Sequence, residues 1–586
     1  MRSRLVSQWL FFGFMAMAAI VPVTNLSRFA DGILTKDAAF IILLCVMAVT
    51  WAFASGRTAY IDRQLWLILI FLGLVGVSTL VSTDMYTSLV GAYRHWEGAT
   101  AYIALALTYF LALQVDWDDD KIKKLISVLV AVAAAISILA LWKSGHKLIL
   151  LKDINRERES FFGPNAFSFF LIMVWPLAIR LFLASTKKLE KTFMLFACFF
   201  IFGGNVVTAS RSGWVISVVI FLATVFITGN KKKIMALTSA VILIVFLAVL
   251  ASKSLAHDFN FSGRFMSIFQ SESIAPRVAL WRESIRLIAD KPLTGYGPDS
   301  YGLEQIKYEE LRVAQFQSKP RTAHNYALNV GSTLGLPALL ILAIIFFQAV
   351  FDGFKSGDYL LQTLSLSLVT AMLLGLTLEW HPFLMVFFWL FMGVNSARKV
   401  TAGAGTAWIK SAVVVASAVL VLWLAFVVGA DFYYRRGLRT KEREAKIAYF
   451  DRAVKINPYV FEYWDKRIKA GVKRSDSAQL ALIRKARAYQ PRREELLLVE
   501  VTLKKRRHLA TPAEMLSIVD KALKIRPLSG QAHYLRGRLL MEEKRFAEAE
   551  SEFATVIRLK PNDKNYLARV SKAREELNRE QLRENR

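Results

Sequence analysis

Cysteine is nearly absent from this chain. There are two in 586 residues, Cys45 and Cys198, and both lie inside apolar runs. That excludes a disulfide framework and a cysteine metal centre. Histidine is almost as scarce: the seven are scattered, with no H-E-x-x-H pair, so no metal site is expected. Acidic residues are outnumbered, 46 Asp and Glu against 75 Lys and Arg, which leaves a formal net charge of +29. A nucleic-acid partner is still not expected. About half of the excess falls after residue 430, and much of the rest sits in short loops, where Lys and Arg fix membrane orientation. The acidic run Asp116, Asp118, Asp119 and Asp120 stands beside Lys121 and reads as a solvated helix cap.

What the chain does have is apolar sequence. It is 55% hydrophobic, with mean hydropathy +0.38. The apolar residues come in blocks long enough to span a bilayer as helices. About thirteen are recognisable, near 8–25, 38–55, 64–82, 98–115, 123–143, 166–184, 192–209, 213–229, 235–251, 326–350, 359–378, 382–396 and 408–430. The first lacks a small-residue cleavage site and reads as a retained helix. With the N-terminus inside, clusters such as Lys121, Lys123 and Lys124, or Lys231, Lys232 and Lys233, fall on the cytoplasmic side. The loop at 144–165 departs from that pattern, placing Lys152, Arg156 and Arg158 outside. The expected fold is all-α: a polytopic transmembrane bundle of about 12–13 spans over residues 1–430, with a helical repeat domain over 431–586. A large extracytoplasmic loop at about 252–323 is the one long polar interruption of the bundle.

After about residue 440 the apolar residues thin out and recur at helical spacing. Pro458, Pro491, Pro527 and Pro561 recur at near-constant intervals, three of them after the similar lead-ins A-V-K-I-N-P, A-L-K-I-R-P and V-I-R-L-K-P. A period near 34 closing on helix-then-proline is the pattern of tetratricopeptide-type helical hairpins. Ala532, Tyr534, Gly537, Ala547, Ala549 and Phe553 fall at expected inter-helix contacts, and Arg506, Arg507, Arg536 and Arg538 are candidates to line a groove for a protein partner.

Four local patterns could carry chemistry. In S-F-F-G-P-N-A, Gly163, Pro164 and Asn165 form a turn expected to cap the next helix. In T-A-S-R-S-G-W, Arg211 sits at the tip of a two-helix reversal, a costly place for a cation unless it meets an anion or water. Residues 275–302 begin with an amphipathic helix whose expected apolar face is Val278, Trp281, Ile285 and Ile288, with Arg277 elsewhere, and end in a turn rich in Pro and Gly. Finally, R-T-A-H-N places Arg321, His324 and Asn325 at the mouth of the next apolar run. Glu379 and His381 form a further pair at a turn between two helices.

In their order and spacing these pieces resemble the O-antigen ligase and polymerase superfamily of bacterial membrane glycosyltransferases. The resemblance covers about residues 85–395. It rests on R-H-W-E-G-A-T-A-Y (94–102), the G-P-N-A turn followed by W-P-L-A, the S-R-S-G turn, R-V-A-L-W with D-K-P-L-T-G-Y-G-P, and H-N-Y-A-L-N-V-G-S-T-L-G-L-P. Two departures stand out: Gly163 opens a turn that in the family often has a second Asn, and Tyr326 follows His-Asn where the family more often has Ser.

The resemblance implies metal-independent glycosyl transfer from an undecaprenyl-pyrophosphate-linked glycan in the bacterial cytoplasmic membrane, with no cofactor and with a saccharide, lipid or protein as acceptor. The residue chemistry is compatible. A histidine side chain can take up a proton near neutral pH, so His324 is the candidate general base, although positioning or pyrophosphate binding stays open for it. Arg211 and Arg277 are the first candidates to clamp a pyrophosphate, because guanidinium is planar, permanently charged and bidentate. Arg321, Asn325 and Asn165 are candidate substrate-binding residues. A polymerase leads; an O-antigen-type ligase or a protein O-oligosaccharyltransferase would share the donor. A lipid-linked sugar transporter is the reading from another class, and it would call for broken helices and inverted repeats.

Overall fold

The computed structural model describes residues 4–24, 31–56, 59–149, 163–208, 210–228, 275–316, 320–378, 380–398, 400, 407–471 and 475–584. Among them there is no β-strand. The chain divides into two compact units. One comprises 1–274, 288–300 and 322–428; the other comprises 275–287, 301–321 and 429–586.

The first unit is built of long apolar helices: α1 (Arg4–Ile20), α2 (Gly32–Ala54), α3 (Arg63–Leu80), the short α4 (Met85–Val90), α5 (Ala99–Leu113), α6 (Asp119–Ile149), α7 (Pro164–Ala184), α8 (Lys188–Val207) and α9 (Arg211–Thr228). Later come α13 (Tyr326–Leu334), α14 (Leu336–Lys355), α15 (Tyr359–Gly375), α16 (Pro382–Ala397) and α17 (Ala407–Arg439), the last ending beyond residue 428. Between α9 and α13 lie α10 (Ala275–Asp290), α11 (Tyr301–Glu304), a 3-10 turn (Gln305–Tyr308) and α12 (Leu311–Phe316).

Aspartates start several of these helices. Asp31, Asp62, Asp84 and Asp358 each accept a backbone N–H from the first turn that follows, satisfying donors with no partner inside the helix. Seven helices among the described residues are long and apolar enough to cross a membrane, and five shorter apolar helices accompany them. All twelve coincide with expected runs. The thirteenth run, near 235–251, lies outside the described residues, as do Lys152, Arg156, Arg158 and Glu379. α16 is buried at every one of its 16 residues, as expected of a helix that is apolar all round and enclosed by other helices.

One expected run is two helices. The stretch 326–350 breaks at Gly335, which has φ 88° and separates α13 from α14. A Cβ at Gly335 would stand 2.4 Å from the Leu293 carbonyl oxygen. The left-handed backbone and the close approach therefore both require glycine.

In the second unit the tail forms four helical hairpins: α18 and α19 (Arg443–Ile456, Phe461–Ala470), α20 and α21 (Asp476–Tyr489, Glu494–Arg506), α22 and α23 (Pro512–Ile525, Gly530–Glu542), and α24 and α25 (Phe546–Leu559, Lys564–Glu584). The four regularly spaced prolines stand in the turns inside these hairpins, where the preceding helix ends at Asn457, Gln490, Arg526 and Lys560. Val501, Val519, Leu539, Phe553 and Val570 share one buried core. Ala532, Ala549 and Phe553 are buried as expected, whereas Ala547 is exposed. Three of the four arginines considered for a groove form ion pairs. Arg507 meets Asp476, Arg536 joins Asp520 and Glu552, and Arg538 joins Glu576.

Candidate active site

The candidate residues divide between the two units. Arg211, Asn165, His324 and Asn325 belong to the first; Arg277 and Arg321 belong to the second.

Arg211 is the first residue of α9 and is half-buried. The turn before it is held by polar contacts: Thr208 Oγ1 accepts the Ser210 N–H at 3.1 Å, and the Ser210 carbonyl starts the helix by accepting the Trp214 N–H at 3.0 Å. Asn205 ties three helices together. It accepts from Ser168 Oγ of α7 at 2.6 Å and donates to Ser217 Oγ of α9 at 3.0 Å. Gly213 lies against this knot, with a Cβ there falling 1.9 Å from Ser168 Oγ. The S-R-S-G motif thus needs its glycine for close approach.

Asn165 is the second residue of α7, one past the opening Pro164. The helix is capped by Gly163, with no side-chain bond. The expected cap at Asn165 is therefore corrected: proline takes the first helical position, where its missing N–H costs nothing, and leaves the Asn165 side chain off the cap.

His324 occupies the left-handed region at φ 49°, in the turn before α13. Its backbone N–H reaches Thr322 Oγ1 at 3.4 Å. Asn325 caps α13, accepting the Leu328 N–H at 3.1 Å. The sequence weighed Asn325 only for substrate contact, and its carbonyl oxygen has this local task. Arg211 and His324 each stand at the start of a helix, where unpaired N–H groups favour an anion.

A buried centre that sequence reasoning missed lies on the segment 91–98. His95 Nδ1 meets Asp299 Oδ1 at 2.5 Å, and Asp299 Oδ2 accepts the N–H groups of Ala92 at 2.7 Å and Glu97 at 3.0 Å. His95 Nε2 lies 3.7 Å from Glu97, whose other oxygen accepts from Tyr102 at 3.2 Å. Trp96 Nε1 donates to Asp31 at 2.6 Å, and the His381 ring lies 5.5 Å from His95. Burial raises the Glu97 carboxyl to about 7, against the pull of His95. Of the six non-glycine residues with positive φ among those described, Arg94, Trp96, Asp299 and His324 fall here or just before α13. Such strain persists only where surrounding contacts over-determine it. The signal in the sequence was R-H-W-E beside an apolar run. Its partner Asp299, distant in the chain, was not marked.

In the second unit, α10 buries Pro276, Ala279, Leu280, Glu283, Ser284 and Leu287. The expected face is corrected: Val278 and Ile285 are exposed. The buried polar groups have partners that a sequence pattern does not reveal. Glu283 accepts the Glu310 N–H at 2.7 Å, and Ser284 Oγ meets Tyr301 Oη at 3.2 Å. Burial raises the Glu283 carboxyl to about 8, and the neighbouring Glu309 and Glu310 carboxylates add to that. Arg277 is half-buried on the same helix. Arg321 is close to Glu462 of α19, at 3.8 Å.

These features define a multi-pass helical membrane protein with cations and a histidine at helix starts and turns. Residues 196–343 match the family model described as O-antigen ligase. The match supports membership of the O-antigen ligase and polymerase superfamily, and with it a membrane enzyme of the glycosyltransferase type. It spans Arg211, Arg277, Asp299, Arg321, His324 and Asn325, while Asn165 and the 94–102 segment lie outside it. No curated protein matches the chain.

Proposed function

We propose that this chain moves a glycan from undecaprenyl pyrophosphate onto a saccharide acceptor outside the cytoplasm, acting as a polysaccharide polymerase. The observation that carries this reading is the family match over the segment that contains Arg211, Arg277, Arg321 and His324. The acceptor hydroxyl oxygen attacks the anomeric carbon as His324 takes its proton. The bond from that carbon to the pyrophosphate oxygen breaks, and its electron pair leaves with the pyrophosphate. Arg211 and Arg277 answer the growing negative charge, with Arg321 assisting. Asn165 and the free amide edge of Asn325 orient substrate. The lysine- and arginine-rich loops support an inner-membrane orientation with His324 on the outer side.

A second reading, a ligase with the same donor, is favoured by the description of the matching family itself. Replacing His324 by Ala tests both. The expected result is normal protein in the membrane and no extended or transferred glycan in the native host; product surviving in that variant excludes the base role. A ladder of polymer lengths lost in the variant supports a polymerase, and loss of one fixed transfer supports a ligase.

A further inference from the structure

The tail carries three cations at the turns inside three successive hairpins. Arg492, Arg526 and Lys560 stand 34 residues apart, each in or beside the turn inside a helical hairpin. All three reach the stretch running from the end of α11 into α12, at positions five residues apart. Arg492 pairs with Glu304. Arg526 grips Glu309 through two parallel bonds, Nε to Oε2 at 3.0 Å and Nη2 to Oε1 at 2.6 Å. Lys560 Nζ donates to the Ala314 carbonyl at 2.8 Å, and Gln315 returns a bond to the Arg558 carbonyl at 2.7 Å. The central pair is nearly enclosed, with side chains 7% and 2% exposed, and Glu494 lies 3.7 Å from Arg526.

From these three contacts along one segment we propose that the repeats dock the chain's own segment 301–316, and that Arg492, Arg526 and Lys560 are positioning residues for Arg321. Arg526 and Lys560 hold the same place in their repeats, the last position before Pro527 and Pro561, and Arg492, one position after Pro491, adds a contact from the preceding hairpin. The concave or turn edge of a repeat array normally presents such spaced contacts to an extended partner, and here the partner is covalently part of the same unit. Arg321, five residues on in the sequence from Phe316, meets Glu462 of the first hairpin. Through α10 the same segment is joined to Arg277, since Arg282 bonds Glu310 at 2.8 Å and Glu283 holds the Glu310 N–H. The consequence for activity rests on the transferase reading given above.

The test is a mutant cycle on the full-length protein. Arg526→Met strands the enclosed Glu309 carboxylate, so glycan product per protein falls roughly ten- to hundred-fold. In detergent, Lys307 and Arg312 become open to trypsin. The double variant Arg526→Met with Glu309→Met removes both charges, restores the product to within about threefold and closes the trypsin sites. Arg545→Ala, which breaks an exposed pair with Glu548, changes neither readout. Normal product and protection in Arg526→Met overturn the proposal, as does a double variant no better than the single. If Arg526→Met does not accumulate, Arg492→Met read in the same two ways decides the matter. His324→Ala is carried alongside. Product surviving there sinks the transferase reading alone, while trypsin protection still decides the docking.

Discussion

Asp299 accepts the Nδ1 proton of His95 at 2.5 Å, and both side chains are buried. The same carboxylate holds two backbone N–H groups of the 91–98 segment. Asp299→Ala leaves three enclosed donors without an acceptor, at about 1–3 kcal/mol each. It also places alanine at φ 57°, a conformation that Asn and Asp tolerate and Ala does not. Asp299→Asn keeps an acceptor and the backbone, so its loss is smaller. Thermal unfolding in detergent should rank wild type above Asp299→Asn, and Asp299→Ala last by a wide margin.

Arg211→Lys preserves charge at the start of α9 and discards the planar fork. If the guanidinium binds pyrophosphate through two bonds, glycan output falls by about tenfold or more while protein amount stays constant. Near-normal output from the lysine variant would mean that a point charge suffices there.

Gly213→Ala drives a methyl group into Ser168 Oγ, and overpacking of this kind costs about 1–3 kcal/mol. Adding Ser168→Ala removes the oxygen and leaves Asn205 Oδ1 at 2.9 Å and the Ser168 Cβ at 3.2 Å. The double variant should therefore recover part of the lost stability. A single variant as stable as wild type would show that the α7–α9 approach is looser than the structure has it.

Glu283 gives the second unit a pH dependence of defined sign. Its carboxyl ordinarily titrates near 4.5 and is raised to about 8 here, so the folded state favours the protonated form. That contribution is complete below about pH 4.5 and is lost as pH rises through about 8. Glu283→Gln should be the more stable protein at the alkaline end and show a flatter melting curve against pH. An unchanged slope would place the titration elsewhere.

Much of this architecture was legible in the chain because span length and apolarity are local properties. The twelve apolar helices and the proline-closed hairpins follow from runs and periods alone. Reading 326–350 as one run misses the break at Gly335, although L-G-L-P carries its signal, since Gly then Pro is a stop followed by a start. Local pattern failed where pairing over long distance decides burial. His95 and Asp299 meet across 204 residues, and no spacing rule joins them. On α10 the stripe of Val278, Trp281 and Ile285 suggested the wrong face, because satisfied hydrogen bonds let Glu283 and Ser284 take the inside. Arg211, expected at the tip of a reversal, is the first residue of α9, and His324, expected at the mouth of an apolar run, stands in the turn before α13. Their chemistry stands on the family match and the variants described above.

Glu309 and Arg526 are separated by 217 residues of chain. A ribosome delivers Glu309 long before Arg526 exists, so the stretch ahead of α13 has to wait, unfinished, while the later apolar helices are inserted and the third hairpin is made. Truncated or stalled chains would carry every apolar helix and still present an acidic stretch with no counterpart. The contact between the docked segment and the repeats thus forms only after the third hairpin has been made, well after the last apolar helix.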